Sequence, residues 1–488
     1  MANLTKEDIR AVIEIIKELY LEDMIPWICG YSGGKDSTAV VQLVWYALQE
    51  LPKDKRKKTV HVISTDTLVE SPVVAIWAAE SLKKMEQTAK EQGLPIVPHR
   101  LTPTTTNTFW VNLIGRGYPY PRRDFRWCTD RMKIDTSNRF IKSILDAESE
   151  AIMVLGSRKA ESTVRKAVLE GYEKKRYRAH LSPNGSFPNS YVFTPIENWL
   201  NDNVWQYLVQ VPNPWGHSNK DLLAMYSGAS ADGECPLVID SSAPSCGNSR
   251  FGCWVCTMVT EDKSMAAMIQ NDEEKAWMLP MLEFRNEIAG DWQTDRDRRD
   301  FRKRDGRLQW YNNRLVHGPY TKETREYFLR RLLETELLVH EIGPDEIKDV
   351  PLITMEELQF IRQLWLDEFH EFDDSLPRIY EEVTGKKYSD SIISKNKYFG
   401  ALESELLKEV CAELYPDEQL LAEMQRALLD TEAKAAAISN KRNVILNFEK
   451  EIKKAFYRDE TEAEQIAEAR AHRIIGIMDD AGPDDFVD

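Results

Sequence analysis

Apolar positions in the first third of the chain recur in two rhythms. Short apolar runs of strand length, bounded by Gly, Pro or Ser, fall at 26–30, 59–65, 96–101 and 151–156. Between them, apolar residues spaced three and four apart predict helices over 38–51, 73–92 and 131–148, with Val40, Val41, Leu43, Val44, Ala47 and Leu48 on the first. A leading helix over 5–22 is expected to start at a Thr5 cap, with Asp8 three residues on. Such alternation predicts an α/β fold: a parallel sheet with helices on both faces and a ligand at the C-terminal ends of the strands. Residues 32–37, Asp66 with Thr67, and 156–158 all fall at such ends.

Past Trp205 the rhythm gives way to a Gly/Ser/Pro-rich connector and a cysteine-bearing stretch. Helical spacing then runs from 265 to 348, broken at Gly290, Gly306 and Gly318-Pro319. Thr354 is a further expected cap, and Leu358, Ile361, Leu364 and Trp365 after it form a stripe best read as a packing face. The Ala-, Glu- and Lys-rich tail over 412–477 ends in the acidic segment 482–485. The expected organisation is a nucleotide domain over 1–210, a four-cysteine region over 211–265 and a mostly α-helical part over 266–488, without internal repeats.

The junction of the first strand and the next helix reads Tyr31-Ser32-Gly33-Gly34-Lys35-Asp36-Ser37. A loop there aims backbone N–H groups and the positive end of the helix dipole at an anion, the two glycines allow close approach, and Lys35 adds a point charge. A Walker loop would need Gly at position 29 and Ser or Thr at position 36, where Cys29 and Asp36 stand. A dinucleotide fingerprint fails on the spacing of Gly30, Gly33 and Gly34. A second constellation is Cys235, Cys246, Cys253 and Cys256, four of the seven cysteines within 22 residues. Spacing alone leaves zinc and a 4Fe-4S cluster equally open.

The loop resembles the S-G-G-x-D-S motif of the ATP pyrophosphatase superfamily, which cleaves ATP between the α and β phosphates. Together with the cysteines it resembles the phosphoadenylyl-sulfate reductase superfamily, and within it the DndC family of DNA phosphorothioation. Further motifs in the same order are Ser64-Thr65-Asp66-Thr67, Arg126-Trp127-Cys128-Thr129 with Lys133, Gly156-Ser157-Arg158-Lys159-Ala160-Glu161-Ser162 with Arg165, and Pro195-Ile196-Glu197-Asn198-Trp199. They cover about the first 260 residues.

The resemblance implies an adenine nucleotide alpha hydrolase-like domain, an iron-sulfur loop region and an enzyme that is an ATP pyrophosphatase and sulfurtransferase. ATP, Mg2+ and a 4Fe-4S cluster on the four cysteines are the implied cofactors. DNA, a cysteine desulfurase and other phosphorothioation subunits are the implied partners. Ser32, Gly33, Gly34, Lys35 and Ser37 would hold phosphates, Asp36 would cap the helix or position magnesium, Asp66 and Thr67 would contact the nucleoside, and Gly156 with Arg158 would close the site. Arg158 and Arg165 could clamp phosphate or steady the leaving group, against the plainer reading of a surface helix paired through Glu161. Cys128, among Arg122, Arg123, Arg126 and Arg131, is a candidate nucleophile or persulfide carrier because nearby cations favour thiolate. Its plainer reading is a buried packing residue, as for Cys29 and Cys411. Three other functions stay open: sulfonucleotide reductase, ATP-dependent tRNA thiolase, and a non-catalytic iron-sulfur module.

Composition sets limits on these readings. The 488 residues allow about three domains of ordinary size, and no apolar run is long enough to span a bilayer, so a cytoplasmic protein with no membrane partner is expected. A formal net charge of −16 argues against a surface that coats DNA throughout. Yet residues 114–178 hold sixteen Lys or Arg against nine Asp or Glu. A second basic cluster, Arg296 to Arg307, is interleaved with Asp295, Asp297, Asp300 and Asp305, and the mixed signs predict a solvated or salt-bridged helix rather than a DNA face.

Overall fold

The computed structural model describes residues 4–122, 125–229, 252–389, 400–416, 420–437, 444–454 and 457–480. The chain divides into two compact units. The first comprises Met1–Thr104, Pro121–Arg285 and Ile342–Ile347, and the second Thr105–Tyr120, Asn286–Glu341 and Lys348–Asp488.

The first unit is built on a six-stranded sheet. β1 (Trp27–Gly30), β2 (Val60–Thr65), β3 (Ile96–Leu101) and β4 (Ala151–Val154) are the strands expected from the apolar runs, followed by β5 (Ser182–Pro183) and β6 (Ser190–Phe193). The order is β3-β2-β1-β4-β6-β5, parallel throughout except for β5 against β6. The expectation of a wholly parallel sheet is corrected at that edge. β5 and β6 escape the periodicity because they are only two and four residues long.

Both faces of the sheet are covered, which is why its strands read as continuous apolar runs. Trp27, Cys29, Val60, Val62, Ile152 and Val154 pack into one core with α1 (Lys6–Glu22), α2 (Lys35–Glu50) and α3 (Pro72–Gln92). Ile28, Ile63, Met153 and Val192 point the other way, onto Ile141 of α4 (Asp135–Glu148) and, next to it, Tyr172 of α5 (Thr163–Lys174). Thr5 caps α1 reciprocally: its Oγ1 accepts from the Asp8 N–H at 3.1 Å, and the Asp8 carboxylate accepts from the Thr5 N–H at 2.9 Å. The helix expected over 131–148 is two pieces, a π-helical turn over Thr129–Ile134 and then α4. In the connector expected beyond Trp205, α6 (Asn201–Gln210) is followed by α7 (Asn219–Gly228), whose N-cap Ser218 accepts from the Asp221 N–H.

After α8 (Lys263–Asn271) the chain is largely helical: α9 (Leu279–Ala289), α10 (Trp292–Asp297), α11 (Lys322–Ile342), α12 (Asp345–Lys348), α13 (Met355–Glu368), α14 (Ser375–Thr384), α15 (Ala401–Leu414), α16 (Leu421–Ala437), α17 (Val444–Lys454) and α18 (Glu460–Asp480). Thr354 and Glu357 cap α13 reciprocally, and Leu358, Ile361, Leu364 and Trp365 are its buried stripe. The helical expectation fails at β7 (Trp310–Tyr311) and β8 (Arg314–Leu315). Asn312 and Asn313 turn that hairpin with φ of 50° and 54°, the left-handed pair that a two-residue hairpin loop demands. The second basic cluster is salt-bridged, with Arg299 on Asp295, Arg302 on Asp300 and Arg307 on Asp305, but it is not one helix. α10 stops at Asp297, and Arg299 and Arg302 are buried on the irregular backbone beyond it rather than solvated on a helix. Residues 482–485 lie outside the described residues. Among the described residues no helix is long and apolar enough to cross a membrane.

Candidate nucleotide site

β1 lies between β2 and β4, so the chain leaves β1 toward one side of the sheet and returns to its other side at β4. Loops diverge at such a switch point and leave a crevice above the strand ends. Here the crevice is a cavity of about 570 Å³. Ser32, Gly33, Gly34, Asp36 and Ser37 line it after β1, Ser64, Thr65 and Asp66 at the end of β2, and Gly156 and Ser157 after β4.

The loop is held by its own hydroxyls. Ser37 Oγ donates to the Gly34 carbonyl at 3.0 Å and accepts from the Ser32 N–H at 3.2 Å. Gly33 has φ of 74°, and an added Cβ would stand 3.3 Å from Ala78. Gly156 is required by proximity: a Cβ there would lie 3.0 Å from the Asp36 carbonyl and 3.1 Å from the Ser37 nitrogen. Gly34 is the N-cap of α2 and offers no side chain to the first helical turn. The turn therefore faces the cavity with its dipole and N–H donors, the arrangement that binds phosphate oxygens.

Charge around the loop is balanced behind it. Arg158, 4% exposed, donates from Nε to Asp36 Oδ1 at 2.7 Å, and Lys35 Nζ lies 3.5 Å from Asp36 Oδ2. This pairing offsets the carboxylate that would otherwise repel a phosphate from the helix start. Both Lys35 and Arg158 thus meet the cavity wall at Asp36. Arg165 is placed differently: it is exposed on α5 and pairs with Glu161 at 3.4 Å, the plainer of its two readings. Asp66 lines the cavity with its carboxylate bound by Arg100, whose Nε donates at 2.9 Å. Thr67 is buried and donates to Glu70 at 2.9 Å.

Two residues absent from the sequence reading complete the loop's support. Trp77 of α3 donates its indole N–H to the Gly33 carbonyl at 3.1 Å. Tyr226 of α7 lies 3.4 Å from the Lys35 N–H and places its ring 5.3 Å from Lys35 Nζ. Burial pushes the Tyr226 phenol up to about 12, so it stays neutral. The pattern Ser218-x-x-Asp221 was the available signal for the helix that carries Tyr226.

The cysteine region packs behind the same cavity, against Glu70 in its wall. Trp254 N–H donates to the Val69 carbonyl at 2.9 Å, Ser71 N–H donates to the Gly252 carbonyl at 3.2 Å, and Cys253 bridges to Glu70. Glu70 and Lys133 both line the cavity and pair at 3.2 Å. Cys253 Sγ lies 3.3 Å from Thr67 Oγ1 and 3.6 Å from Glu70 Oε1.

The expected 4Fe-4S cluster is corrected on this geometry. Cys235 and Cys246 lie outside the described residues, and among the described residues no group of three or more His, Cys, Asp or Glu could hold a metal ion. Cys253 is engaged by Thr67 and Glu70, and burial pushes its thiol up, away from the thiolate that metals take. Cys256 is a free cysteine close enough to influence Cys128 electrostatically. Asp36, the residue expected to cap the helix or position magnesium, faces Arg158 with its carboxylate. The thiolate expected at Cys128 is likewise reversed in sign. Burial raises its pKa, Cys256 adds to the rise, and Thr129 and Lys133 only partly offset it. The sequence places four arginines near Cys128 along the chain, but desolvation of the sulfur outweighs them.

Residues 26–215 match the model of the phosphoadenosine phosphosulfate reductase domain. A domain of the PAPS-reductase and ATP-pyrophosphatase kind is therefore present in this chain. An uncharacterized protein of Methanocaldococcus jannaschii is 28% identical over 210 residues, or 42% of this chain and 36% of that protein. The match thus spans about a third of that relative's length. Among solved structures, phosphoadenylyl-sulfate reductase from Candida auris, a phosphate complex, is 13% identical over 44% of this chain and 91% of its own, with a TM-score of 0.26. FMN adenylyltransferase from Candida glabrata, with FAD and inorganic pyrophosphate, is 14% identical over 49% of this chain and 67% of its own, also at 0.26. Likeness at that score does not define a shared fold.

Proposed function

We propose that the first unit is an adenine-nucleotide enzyme of sulfur chemistry, with the nucleotide's phosphates on residues 32–37 and its reacting end toward Glu70, Lys133 and the cysteines. One observation carries this reading: the glycine loop and Glu70, the strand-bridge partner of Cys253, border a single cavity. The domain match favours a sulfonucleotide such as adenylyl sulfate as the substrate. One thiol would attack the sulfate sulfur, the bond from sulfur to the phosphate oxygen would break, and AMP would leave with that electron pair. A second thiol would then attack the first cysteine's sulfur and release sulfite, leaving a disulfide. The loop N–H groups and Lys35 would stabilise charge on the departing phosphate.

A second reading is favoured by Cys411. A reductase of this kind is expected to bring a reactive cysteine near its C-terminus to the nucleotide, yet Cys411 is buried within α15. That supports the DndC-type alternative. ATP would adenylate an oxygen of a DNA phosphate with loss of pyrophosphate, a persulfide supplied through a cysteine desulfurase would displace AMP, and a second thiol would then attack the carrier's sulfur, leaving the phosphorothioate and a disulfide, with other phosphorothioation subunits positioning the DNA.

Product analysis separates the two. With adenylyl sulfate and a dithiol, the first reading expects AMP and sulfite; with ATP, DNA, a persulfide donor and a thiol reductant, the second expects AMP, pyrophosphate and phosphorothioate in the DNA. Lys35→Ala should lower whichever turnover is seen by about 10²-fold or more. ADP as product, or full activity of Lys35→Ala, would overturn both.

A further inference from the structure

The second unit contains a cavity of about 650 Å³ whose chemistry differs from the first. Its walls come from the backbone after α10 and from α11, α15, α16 and α17. Most of its cations are already matched. Arg302 pairs with Asp300 and Glu423, Lys322 with Asp373, Arg325 with Glu371, and Arg304 with Glu368. Lys408 is exposed on α15, and two more deeply placed cations are not satisfied in this way.

Arg426 is 8% exposed, and its Nε and Nη1 have no hydrogen-bond partner among the described residues, although its charge is felt by Asp373. Lys303 is half-buried, its ammonium reaches only the His317 carbonyl at 3.4 Å, and it makes no ion pair among the described residues. A buried guanidinium with open donors is costly until an anion fills them, and its planar fork matches two oxygens of one phosphate. The lining continues into an adjoining cavity of about 750 Å³, which shares Lys303, Arg304 and Lys454 and adds Arg307 and Lys450. Cations outnumber carboxylates in both cavities, within a chain whose formal net charge is −16. The first also exposes rings of Phe301 and Tyr415 on which a base could stack. Volumes of this order suit a nucleotide-sized ligand.

We propose that this cavity binds a phosphate-bearing ligand of nucleotide size, with its phosphate met by Arg426 and Lys303. The phosphate could belong to a free nucleotide or to the end of a nucleic-acid strand, and the chemistry of recognition is the same. The site lies in the second unit, whereas the nucleotide loop belongs to the first.

The test uses the full chain carrying Lys35→Ala, so that binding at the loop of the first unit is weakened. Fluorescence anisotropy is read with two probes, a fluorescent derivative of AMP and a labelled, 5′-phosphorylated single-stranded oligonucleotide, each at low and at physiological salt. At least one probe should bind, and Arg426→Gln combined with Lys303→Gln should weaken it about tenfold or more and flatten its salt dependence. Binding of the AMP probe would assign a free nucleotide, and binding of the strand alone would assign a nucleic-acid end. Where Arg426→Gln fails to fold by circular dichroism, Lys303→Gln with the exposed Lys408→Gln replaces it, with a weaker but measurable loss expected. Absence of binding by both probes at millimolar concentration, or affinity unchanged by the folded double variant, would overturn the proposal.

Discussion

The first unit meets its cavity with backbone amides and a helix start, whereas the second lines its cavity with guanidinium and ammonium groups. In the first, the donors are fixed by the turn itself, and charged side chains lie behind it: Arg158 against Asp36, Lys35 against Tyr226. In the second, buried ion pairs such as Arg325 with Glu371 and Arg299 with Asp295 hold irregular backbone and helices together, and the leftover cations give the cavity its sign. Fixed dipoles cost no side-chain entropy when a ligand arrives. Side-chain cations can be neutralised by their own neighbours, so only the unmatched ones remain for a ligand.

The sharpest way to break this comparison is at Arg325. Glu371→Leu leaves a buried guanidinium, stacked 3.9 Å from the centre of the Phe369 ring, without its carboxylate. Denaturant unfolding of that variant should show a loss of about 3–5 kcal/mol. A loss under about 1 kcal/mol would mean that the second unit does not depend on its buried ion pairs.

That contrast also decides what the sequence could reveal. The loop over 32–37 was legible because amide recognition needs glycines at one strand-to-helix junction, all within seven residues. The first four strands were legible because a sheet buried on both faces must be apolar along its length. Tyr226 and Trp77 were not legible, since each reaches the loop from a helix distant in sequence and carries an ordinary packing signature. Arg299 and Arg302 read as solvated because alternating charges look the same whether a local pair such as Arg299 with Asp295 is exposed or buried, and the distant partner of Arg302, Glu423, leaves no local trace. The cysteines misled for a related reason. Spacing showed four thiols together, but the described pair meets Thr67, Glu70 and Cys128 rather than a ligand set.

A smaller effect sharpens the loop's side of the comparison. Gly33→Ala forces a left-handed residue to carry a Cβ, at a cost of about 1–2 kcal/mol, and crowds Ala78. Nucleotide affinity should fall with stability, because the strained residue is itself a donor. Isothermal titration with AMP beside thermal unfolding would check this; unchanged affinity would move the phosphate off Gly33.

The smallest expected effect is a pH dependence confined to the first unit. His61 Nδ1 lies 3.0 Å from His99 Nε2 beneath Phe140, and burial, with His99 adding, pulls the His61 pKa down to about 4. Its neutral form is the folded one, so the unfolded chain takes up the proton first. The contribution is complete above the ordinary histidine pKa and is lost as pH falls through about 4. Acid titration of stability should show about 1–2 kcal/mol of this loss absent in His61→Phe.

The most direct test of the nucleotide assignment is a crystal structure of the full chain grown with AMP. The account predicts the phosphate within hydrogen-bonding distance of the N–H groups of Gly33 to Ser37, with Asp36 still paired to Arg158. Ordered nucleotide with its phosphate elsewhere, and the loop closed on its own hydroxyls, would contradict it.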